Sequence, residues 1–253
     1  MADVSLAVRN DDSALPEGQT PERIARELAA LIEGEVRFSF HDRMLYATDA
    51  SIYQVVPIGV VVPRHVEDVE AVVKYCQREK LPILPRGGGT ALAGQTVNTA
   101  IVIDFSAHCR SILEIDPEKK FAWVQPGLVL DHFNAELAKH GLMFGPDVAT
   151  STHANLGGMI GNNSAGVHSI LYGRTVENVL ALESMLVDGT RMLFEHGASE
   201  TNPRIADLTR RIADVILPLE KEIDDRFPKI LRRGNGYNLD MILGQIRASA
   251  PET

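Results

Sequence analysis

Residues 85–94 read Pro-Arg-Gly-Gly-Gly-Thr-Ala-Leu-Ala-Gly and directly follow the apolar residues Ile83 and Leu84. Consecutive glycines carry no side chain and permit positive φ, so successive backbone N–H groups can converge on one anion. The stretch is neither a Walker loop, because no Gly-Lys-Ser/Thr follows, nor the spaced-glycine dinucleotide fingerprint. A plain flexible turn is the alternative. The stretch therefore predicts a phosphate-binding loop of another kind at the end of a strand.

The residues on either side of this loop predict a small α/β module. Residues 58–62 form a short β-branched run, residues 66–76 place apolar side chains on one helical face, and residues 101–103 form another apolar run. Strand, helix and strand with short joints predict a right-handed parallel crossover. Thr20 and Pro21 are typical of a helix start, and they place a further helix before the module.

The second half of the chain is predicted to contain short strands joined by tight turns, followed by helices. Residues 112–115 and 121–124 predict two strands of an antiparallel hairpin, and a helix is predicted from residue 128 to 139. Strand-like segments follow at 179–186 and 192–194, and the pattern from Pro203 onward is mostly helical. This half therefore mixes hairpins with helices.

A long stretch between these elements, residues 144–172, is dense in Gly, Asn, Ser and Thr. Gly157 and Gly158 would let the backbone approach a planar ligand closely, and the neutral side chains around them supply donors and acceptors for it. An ordered loop whose polar side chains satisfy its own backbone is the alternative. Because a long loop inside a compact domain is usually functional, we predict a ligand site here.

Composition excludes several classes of protein. The chain has 253 residues, 45% of them hydrophobic, and a net charge of −9 with acidic and basic residues interspersed, so a nucleic-acid partner is not expected. Its two cysteines suggest neither a disulfide framework nor a zinc site. No secretory signal or transmembrane run is evident, which predicts a cytoplasmic location, with peripheral membrane association as the alternative.

Several motifs occur in one order that resembles FAD-linked oxidases of the vanillyl-alcohol-oxidase superfamily. They are the glycine-rich loop, Val-Gln-Pro-Gly at 124–127, Asn-Leu-Gly-Gly…Asn-Ser-Ala-Gly at 155–166, and Tyr-Gly…Asn-Val…Asp-Gly at 172–189. Within that superfamily, the sequence is most similar to D-2-hydroxyglutarate, D-lactate and glycolate dehydrogenases. Residues 46–53, Tyr-Ala-Thr-Asp-Ala-Ser-Ile-Tyr, are similar to the large members that carry an iron–sulfur domain.

The resemblance implies an α+β fold, a PCMH-type FAD-binding domain of two α/β subdomains. The smaller has a partly parallel sheet, and the larger has a mostly antiparallel sheet with flanking helices. We expect a flexible tail at 1–19, the first helix and the small subdomain at 20–108, and the larger subdomain at 109–253, incomplete at its C-terminus.

The resemblance also implies that the first stretch wraps the FAD pyrophosphate, while the second lines the ribityl chain and the isoalloxazine. The residues that match the pyrophosphate side are Arg86, Gly87, Gly88, Gly89, Thr90, Ala91 and Leu92. The residues that match the flavin side are Pro146, Asp147, Thr150, Asn155, Gly157, Gly158, Asn163, Ser164 and Gly166. Some relatives carry a histidine in the glycine loop that bonds the flavin covalently. Thr90 stands in that loop here, so we predict dissociable FAD.

Catalytic side chains are harder to assign. His153 and His168 fall in the flavin-side stretch, and Arg233 lies in a segment similar to one that leads toward the family's active site, where it could pair a substrate carboxylate. A surface or internally hydrogen-bonded side chain is the alternative for all three. The histidines show no metal-ligand spacing, so no metal site is predicted.

The function implied is that of a flavin-dependent D-2-hydroxy-acid dehydrogenase, with electrons passing to an iron–sulfur, quinone or flavoprotein acceptor. Oxidation of a hydroxy acid needs a base and a cation for the carboxylate, which this family carries in a later substrate domain. We therefore expect an N-terminal fragment that needs its C-terminal domain, with any iron–sulfur cluster there, or a partner subunit. The alternatives are a non-catalytic FAD-binding subunit or scaffold, and a flavin-dependent enol-ether reductase of the same fold.

Overall fold

The computed structural model describes residues 15–16, 18–230 and 236–249. Most of the predicted tail at 1–19 lies outside the described residues, and so does Arg233.

The glycine-rich loop leaves the edge of a four-stranded, partly parallel sheet. Its strands are β1 (Glu35–Arg37), β2 (Gly59–Val62), β3 (Ile83–Arg86) and β4 (Ile101–Asp104), in the spatial order β1-β2-β4-β3. β1 runs antiparallel to β2, whereas β2 and β3 both pair with β4 in parallel. Every residue of β2 and β4 is buried, which explains why these strands are continuous β-branched runs rather than alternating ones.

Three helices accompany this sheet: α1 (Pro21–Ala29), α2 (Phe40–Leu45) and α3 (Val66–Glu79). The predicted start of α1 is confirmed, because the Thr20 hydroxyl accepts a hydrogen bond from the Arg23 backbone N–H at 3.2 Å. α3 connects β2 to β3, so the predicted parallel crossover is present, with β4 lying between the two strands. The buried apolar residues of this layer include Ile24, Leu28, Val61, Val72, Ile101 and Ile103.

The predicted antiparallel hairpin is also present, as β5 (Ile112–Asp116) and β6 (Phe121–Val124). The predicted helix after it is α4 (Leu130–Ala138). Its buried face joins a second apolar cluster that includes Leu130, Phe133, Leu137, Leu156 and Met159.

The stretch expected to be one long loop contains helical structure. α5 (Leu156–Asn162) and α6 (Ser169–Tyr172) lie within it, and a 3₁₀ turn (Thr175–Asn178) follows. Glycine has a low intrinsic helix propensity, which hid α5 in the sequence. Burial of Leu156 and Met159, three residues apart on one helical face, overrides that propensity.

The remaining elements are a second hairpin and a set of helices, as the patterns predicted. The hairpin is β7 (Ala181–Met185) and β8 (Arg191–Glu195). The helices that follow are α7 (Ala198–Thr201), α8 (Pro203–Ile216), a 3₁₀ segment (Leu217–Leu219), α9 (Glu220–Arg226) and α10 (Leu239–Ser249).

The described residues fall into two compact units. The first runs as far as Asn178 and includes Met185–Thr190, and the second comprises Val179–Ser184 and the described residues from Arg191 onward. The α+β fold class, with a partly parallel sheet and an antiparallel hairpin, is confirmed. The subdomain boundary at residue 108 stays a prediction. None of the helices in the described ranges combines the length and the apolar composition that a bilayer span requires.

Candidate functional site

The glycine loop, residues 87–94, presents a row of unused backbone donors. Gly89 and Gly94 have φ of 65° and 78°, which L side chains rarely adopt. Within the described part of the chain, none of the backbone N–H groups of residues 87–92 donates a hydrogen bond to the protein. A run of free N–H groups at a strand end is the arrangement that holds an anion.

Two of these glycines are needed because the loop packs against residues 153–155. A Cβ on Gly88 would lie 2.1 Å from the His153 carbonyl oxygen, and one on Gly87 would lie 2.5 Å from Asn155 Oδ1. Both distances are far inside van der Waals contact, so any side chain would force the segments apart. The structure thus brings together the two stretches that the sequence singled out.

Asn155 connects three segments and retains an unused acceptor. Its Nδ2 donates to the Gly127 carbonyl at 2.6 Å, and the residue is only 3% exposed. Among the described residues, its buried Oδ1 has no hydrogen-bond partner. Buried polar atoms are nearly always paired, so an orphaned acceptor beside the glycine loop indicates a site for a bound donor.

Arg86, which is predicted to lie on the pyrophosphate side together with residues 87–92, has a side chain that is hydrogen-bonded to the protein itself. Its guanidinium donates to the carbonyls of Tyr46 at 3.0 Å, Thr96 at 2.9 Å and Thr48 at 2.8 Å, and it stacks 5.3 Å from the centre of the Tyr46 ring. Burial lowers the pKa of this guanidinium. The Arg86 side chain is therefore engaged with main-chain carbonyls.

Two glycines that are predicted to lie on the flavin side have opposite surroundings. A Cβ on Gly157 would lie 2.6 Å from the Pro126 side chain, and the Gly157 backbone N–H donates to the Pro126 carbonyl at 2.8 Å. A Cβ on Gly158 would meet nothing within 4 Å. Gly157 thus allows α5 to pack closely on the turn at residues 126–127, whereas Gly158 leaves an open face.

An aspartate and a histidine 21 positions apart join the two ends of the flavin-side stretch. Asp147 accepts hydrogen bonds from the His168 backbone N–H at 2.9 Å and, through its other oxygen, pairs with His168 Nδ1 at 2.5 Å. Gly166 makes this contact achievable, because a Cβ there would lie 2.0 Å from the Asp147 carbonyl oxygen. We call this group, Asp147, Gly166 and His168, the Asp–His clasp.

The Asp–His clasp carries a pH prediction. The His168 backbone N–H, and then its ring, hold the pKa of Asp147 below its usual range. A lowered folded-state pKa adds stability above the unfolded value of about 4, and that stability is lost as pH falls through the folded value. We expect wild type to be more stable than Asp147→Asn at pH 6, with the gap closing below about pH 4.

Urea unfolding of both proteins between pH 6 and pH 3 measures this gap. The exposed Glu118, in the turn between β5 and β6, offers the control substitution Glu118→Gln. A gap of constant size across the whole pH range would contradict the role given to Asp147.

Three other predicted site residues, Asn163, Ser164 and Thr150, accept hydrogen bonds from nearby residues. Asn163 caps α5 with φ of 46°, and its Oδ1 accepts from the Val176 backbone N–H at 3.0 Å. The Ser164 carbonyl accepts from both the backbone N–H and the hydroxyl of buried Thr175. The Thr150 carbonyl accepts from two backbone N–H groups, at His153 and Ala154. These three residues therefore hold the backbone of residues 150–176 in place through hydrogen bonds.

The remaining predicted site residues lie partly at the surface and partly in the interior. Leu92 is 79% exposed, whereas Pro146 is buried. Thr90 and Ala91 are partly buried and add their backbone N–H groups to the row of free donors. His153 is exposed, with its Nδ1 2.7 Å from the Thr152 hydroxyl.

The donor set fits a ligand that combines an anion with a neutral, planar part. Free N–H groups suit the anion, while the open face at Gly158 and the orphaned Asn155 oxygen suit a ring system or a hydroxylated chain. FAD has this composition. The carbonyls that bind Arg86 have no signature in the sequence, although the motif at residues 46–53 pointed to the segment that contains two of them.

Comparisons with known proteins agree with this chemistry. A family model described as an FAD binding domain matches residues 57–194. D-2-hydroxyglutarate dehydrogenase of Escherichia coli (strain K12) is 35% identical over 216 residues, which is 81% of this chain and 21% of that protein. D-lactate dehydrogenase of Archaeoglobus fulgidus is 37% identical over 130 residues, covering 51% of this chain and 29% of that protein.

Solved structures support the fold. An alkyldihydroxyacetonephosphate synthase structure superposes with a TM-score of 0.64 at 22% identity, covering 72% of this chain and 36% of that one. This chain spans about a fifth of the length of the D-2-hydroxyglutarate dehydrogenases it matches. As its resemblance to FAD-linked oxidases predicted, the chain belongs to the family of FAD-binding domains, whose cofactor is FAD.

Proposed function

We propose that this chain is the FAD-binding part of a dehydrogenase that oxidises a D-2-hydroxy acid such as D-2-hydroxyglutarate or D-lactate. The observation that carries the proposal is the row of free backbone N–H groups at residues 87–92, packed against the Asn155 segment. The names of the relatives, D-2-hydroxyglutarate dehydrogenase and D-lactate dehydrogenase, support the substrate class.

The chain's own residues would hold the cofactor mainly through the backbone. The N–H groups of residues 87–92 would hold the diphosphate, and Asn155 Oδ1 would accept a hydrogen bond from a hydroxyl group of the ligand. The open face at Gly158 would leave space for the ring system, and the Asp–His clasp fixes the ends of the stretch that contains it. FAD, when bound, supplies the acceptor for the hydride that leaves the hydroxyl-bearing carbon.

The parts of the reaction beyond the flavin are proposed to lie outside these residues. A base for the hydroxyl proton and a cation for the carboxylate are needed, and His153 and Arg233 stay weak predictions for such roles. The electron acceptor, whether an iron–sulfur cluster, a quinone or another flavoprotein, belongs to the same proposal, as does a cytoplasmic location. The share of the relatives that this chain spans supports this division.

Flavin retention and dye reduction together test the function. After incubation with FAD and desalting, the chain is expected to keep the flavin's visible absorption, and to show no reduction of an artificial dye by D-2-hydroxyglutarate or D-lactate. The complete polypeptide that carries this segment is expected to reduce the dye. Rapid turnover by residues 1–253 alone would contradict the proposal that the base and the carboxylate-binding group lie outside these residues. A failure to retain FAD would contradict the cofactor site.

Thr90 carries a separate prediction about the flavin linkage. A threonine hydroxyl does not form the covalent bond that a histidine makes in some relatives, so the flavin should be released on denaturation. Acid precipitation of the holoprotein is expected to leave all the yellow colour in the supernatant. Colour that remained in the washed pellet would show that another residue bonds the flavin.

A further inference from the structure

We propose that Arg86 is a positioning residue, whose guanidinium fixes the glycine loop onto residues 46–53 so that the loop's free N–H groups face the ligand. The inference rests on the proposed binding of FAD at this loop, and it goes beyond it by naming what holds the loop in place. It also gives a role to the motif at residues 46–53, which the flavin site had not explained.

The geometry at Arg86 favours a structural bond over a phosphate contact. Its guanidinium reaches three backbone carbonyls at 2.8–3.0 Å, two in the 46–48 segment and one at Thr96. A planar guanidinium can serve several acceptors at once, which an ammonium on a flexible stem cannot reproduce. Gly89 leaves room for this group, since a Cβ there would lie 2.8 Å from Arg86 Nη2.

Further bonds join residues 46–53 to the glycine loop and to Thr96, which lies two residues after it. The Ala50 backbone N–H donates to the Gly89 carbonyl at 3.0 Å, and the Thr96 hydroxyl donates to Asp49 Oδ2 at 2.8 Å. The Ala50 bond occupies the Gly89 carbonyl, and neither bond uses the N–H groups of residues 87–92. The 46–53 segment therefore supports one side of the loop, and the free donors remain for an anion.

Arg86 also carries a positive charge, which could attract an anion without touching it. Burial lowers the pKa of the Arg86 guanidinium, while the carboxylates of Asp104 and Asp49 act in the opposite direction. Asp104 also accepts a hydrogen bond from the Tyr46 hydroxyl at 2.6 Å. A positioning role and a purely electrostatic role of Arg86 predict different results for the Arg86→Lys variant. If charge alone mattered, lysine would substitute for Arg86, whereas the three-carbonyl fork requires the guanidinium.

The experiment compares Arg86→Lys and Arg86→Gln with wild type by two measurements. Hydrogen exchange in the ligand-free chain reports the Ala50 amide, and we expect it to accelerate about tenfold or more in both variants. Titrations with FAD and with ADP report the loop, and we expect both ligands to bind about 30-fold more weakly in both variants. Equal losses for FAD and ADP follow because both ligands engage the loop through a diphosphate.

Arg110→Lys is the matched control, because the Arg110 side chain makes no hydrogen bond within the described residues. It should leave exchange and both affinities unchanged. Lysine that restored FAD affinity where glutamine lost it would overturn the proposal in favour of a direct charge contact. Unchanged exchange at Ala50, or weaker FAD binding with normal ADP binding, would overturn it as well.

A second variant and the wild-type titration complete the test. If the Arg86 variants do not fold, Asp49→Ala breaks another link, the bond from residues 46–53 to Thr96 just after the loop. It should accelerate exchange at Ala50 and weaken ADP binding, and unchanged exchange would overturn the proposal. If wild type binds neither FAD nor ADP, the proposed cofactor site fails, while the exchange measurement still decides whether Arg86 holds the loop.

Discussion

Replacing Gly88 with alanine is expected to raise the dissociation constant for FAD by about 100-fold or more, which corresponds to about 2.7 kcal/mol. The added Cβ would lie 2.1 Å from the His153 carbonyl oxygen. That oxygen belongs to the backbone and cannot rotate away, so the glycine loop must move off the segment it packs against. Isothermal titration of the chain with FAD measures the effect.

Gly244→Ala is the matched control, since a Cβ at Gly244 meets nothing within 4 Å. Gly244 lies inside α10, where alanine favours the helix by up to about 1 kcal/mol. We expect normal FAD affinity and slightly higher stability. Normal FAD affinity in Gly88→Ala would show that the contact with residue 153 does not shape the site.

The second large effect is expected at Asn155, where alanine should lower the free energy of unfolding by about 2–4 kcal/mol. The substitution removes the donor to the Gly127 carbonyl and leaves that acceptor unpaired beside a new cavity. It also removes the oxygen that lies against Gly87, so FAD binding should weaken at the same time. Urea unfolding, followed by the fluorescence of Trp123, measures the stability change.

Asn162→Ala provides the comparison, because Asn162 is exposed and its amide makes only a 3.5 Å contact with Ser164 Oγ. A change within about 0.5 kcal/mol is expected there. If Asn155→Ala were equally mild, the Asn155 amide would not hold the loop, the turn and α5 together.

The sequence predicted the elements whose signals are local. The β-branched runs of β2 and β4 marked buried parallel strands, and Thr20 marked the start of α1. The consecutive glycines marked the loop, because a close approach of backbone leaves its trace in residue type. Their contact with residues 153–155 is not visible locally, since it depends on how distant segments pack.

The features that the sequence did not predict depend on contacts between distant residues, which leave no signature in the sequence. Backbone carbonyls bind Arg86, and every residue has a carbonyl, so the sequence could not predict these partners of Arg86. The Asp147 and His168 pair spans 21 positions and forms only because Gly166 permits it. α5 was hidden because tertiary burial stabilises a helix that its glycines disfavour.

Backbone amide resonances of residues 87–92 provide the most direct test of the central claim, that these N–H groups hold the cofactor's diphosphate. In ¹⁵N-edited NMR spectra of the labelled chain, we expect FAD and ADP to shift the same amides, while riboflavin, which has no phosphate, leaves them in place. Shifts confined to other regions, or equal shifts with riboflavin, would contradict the account.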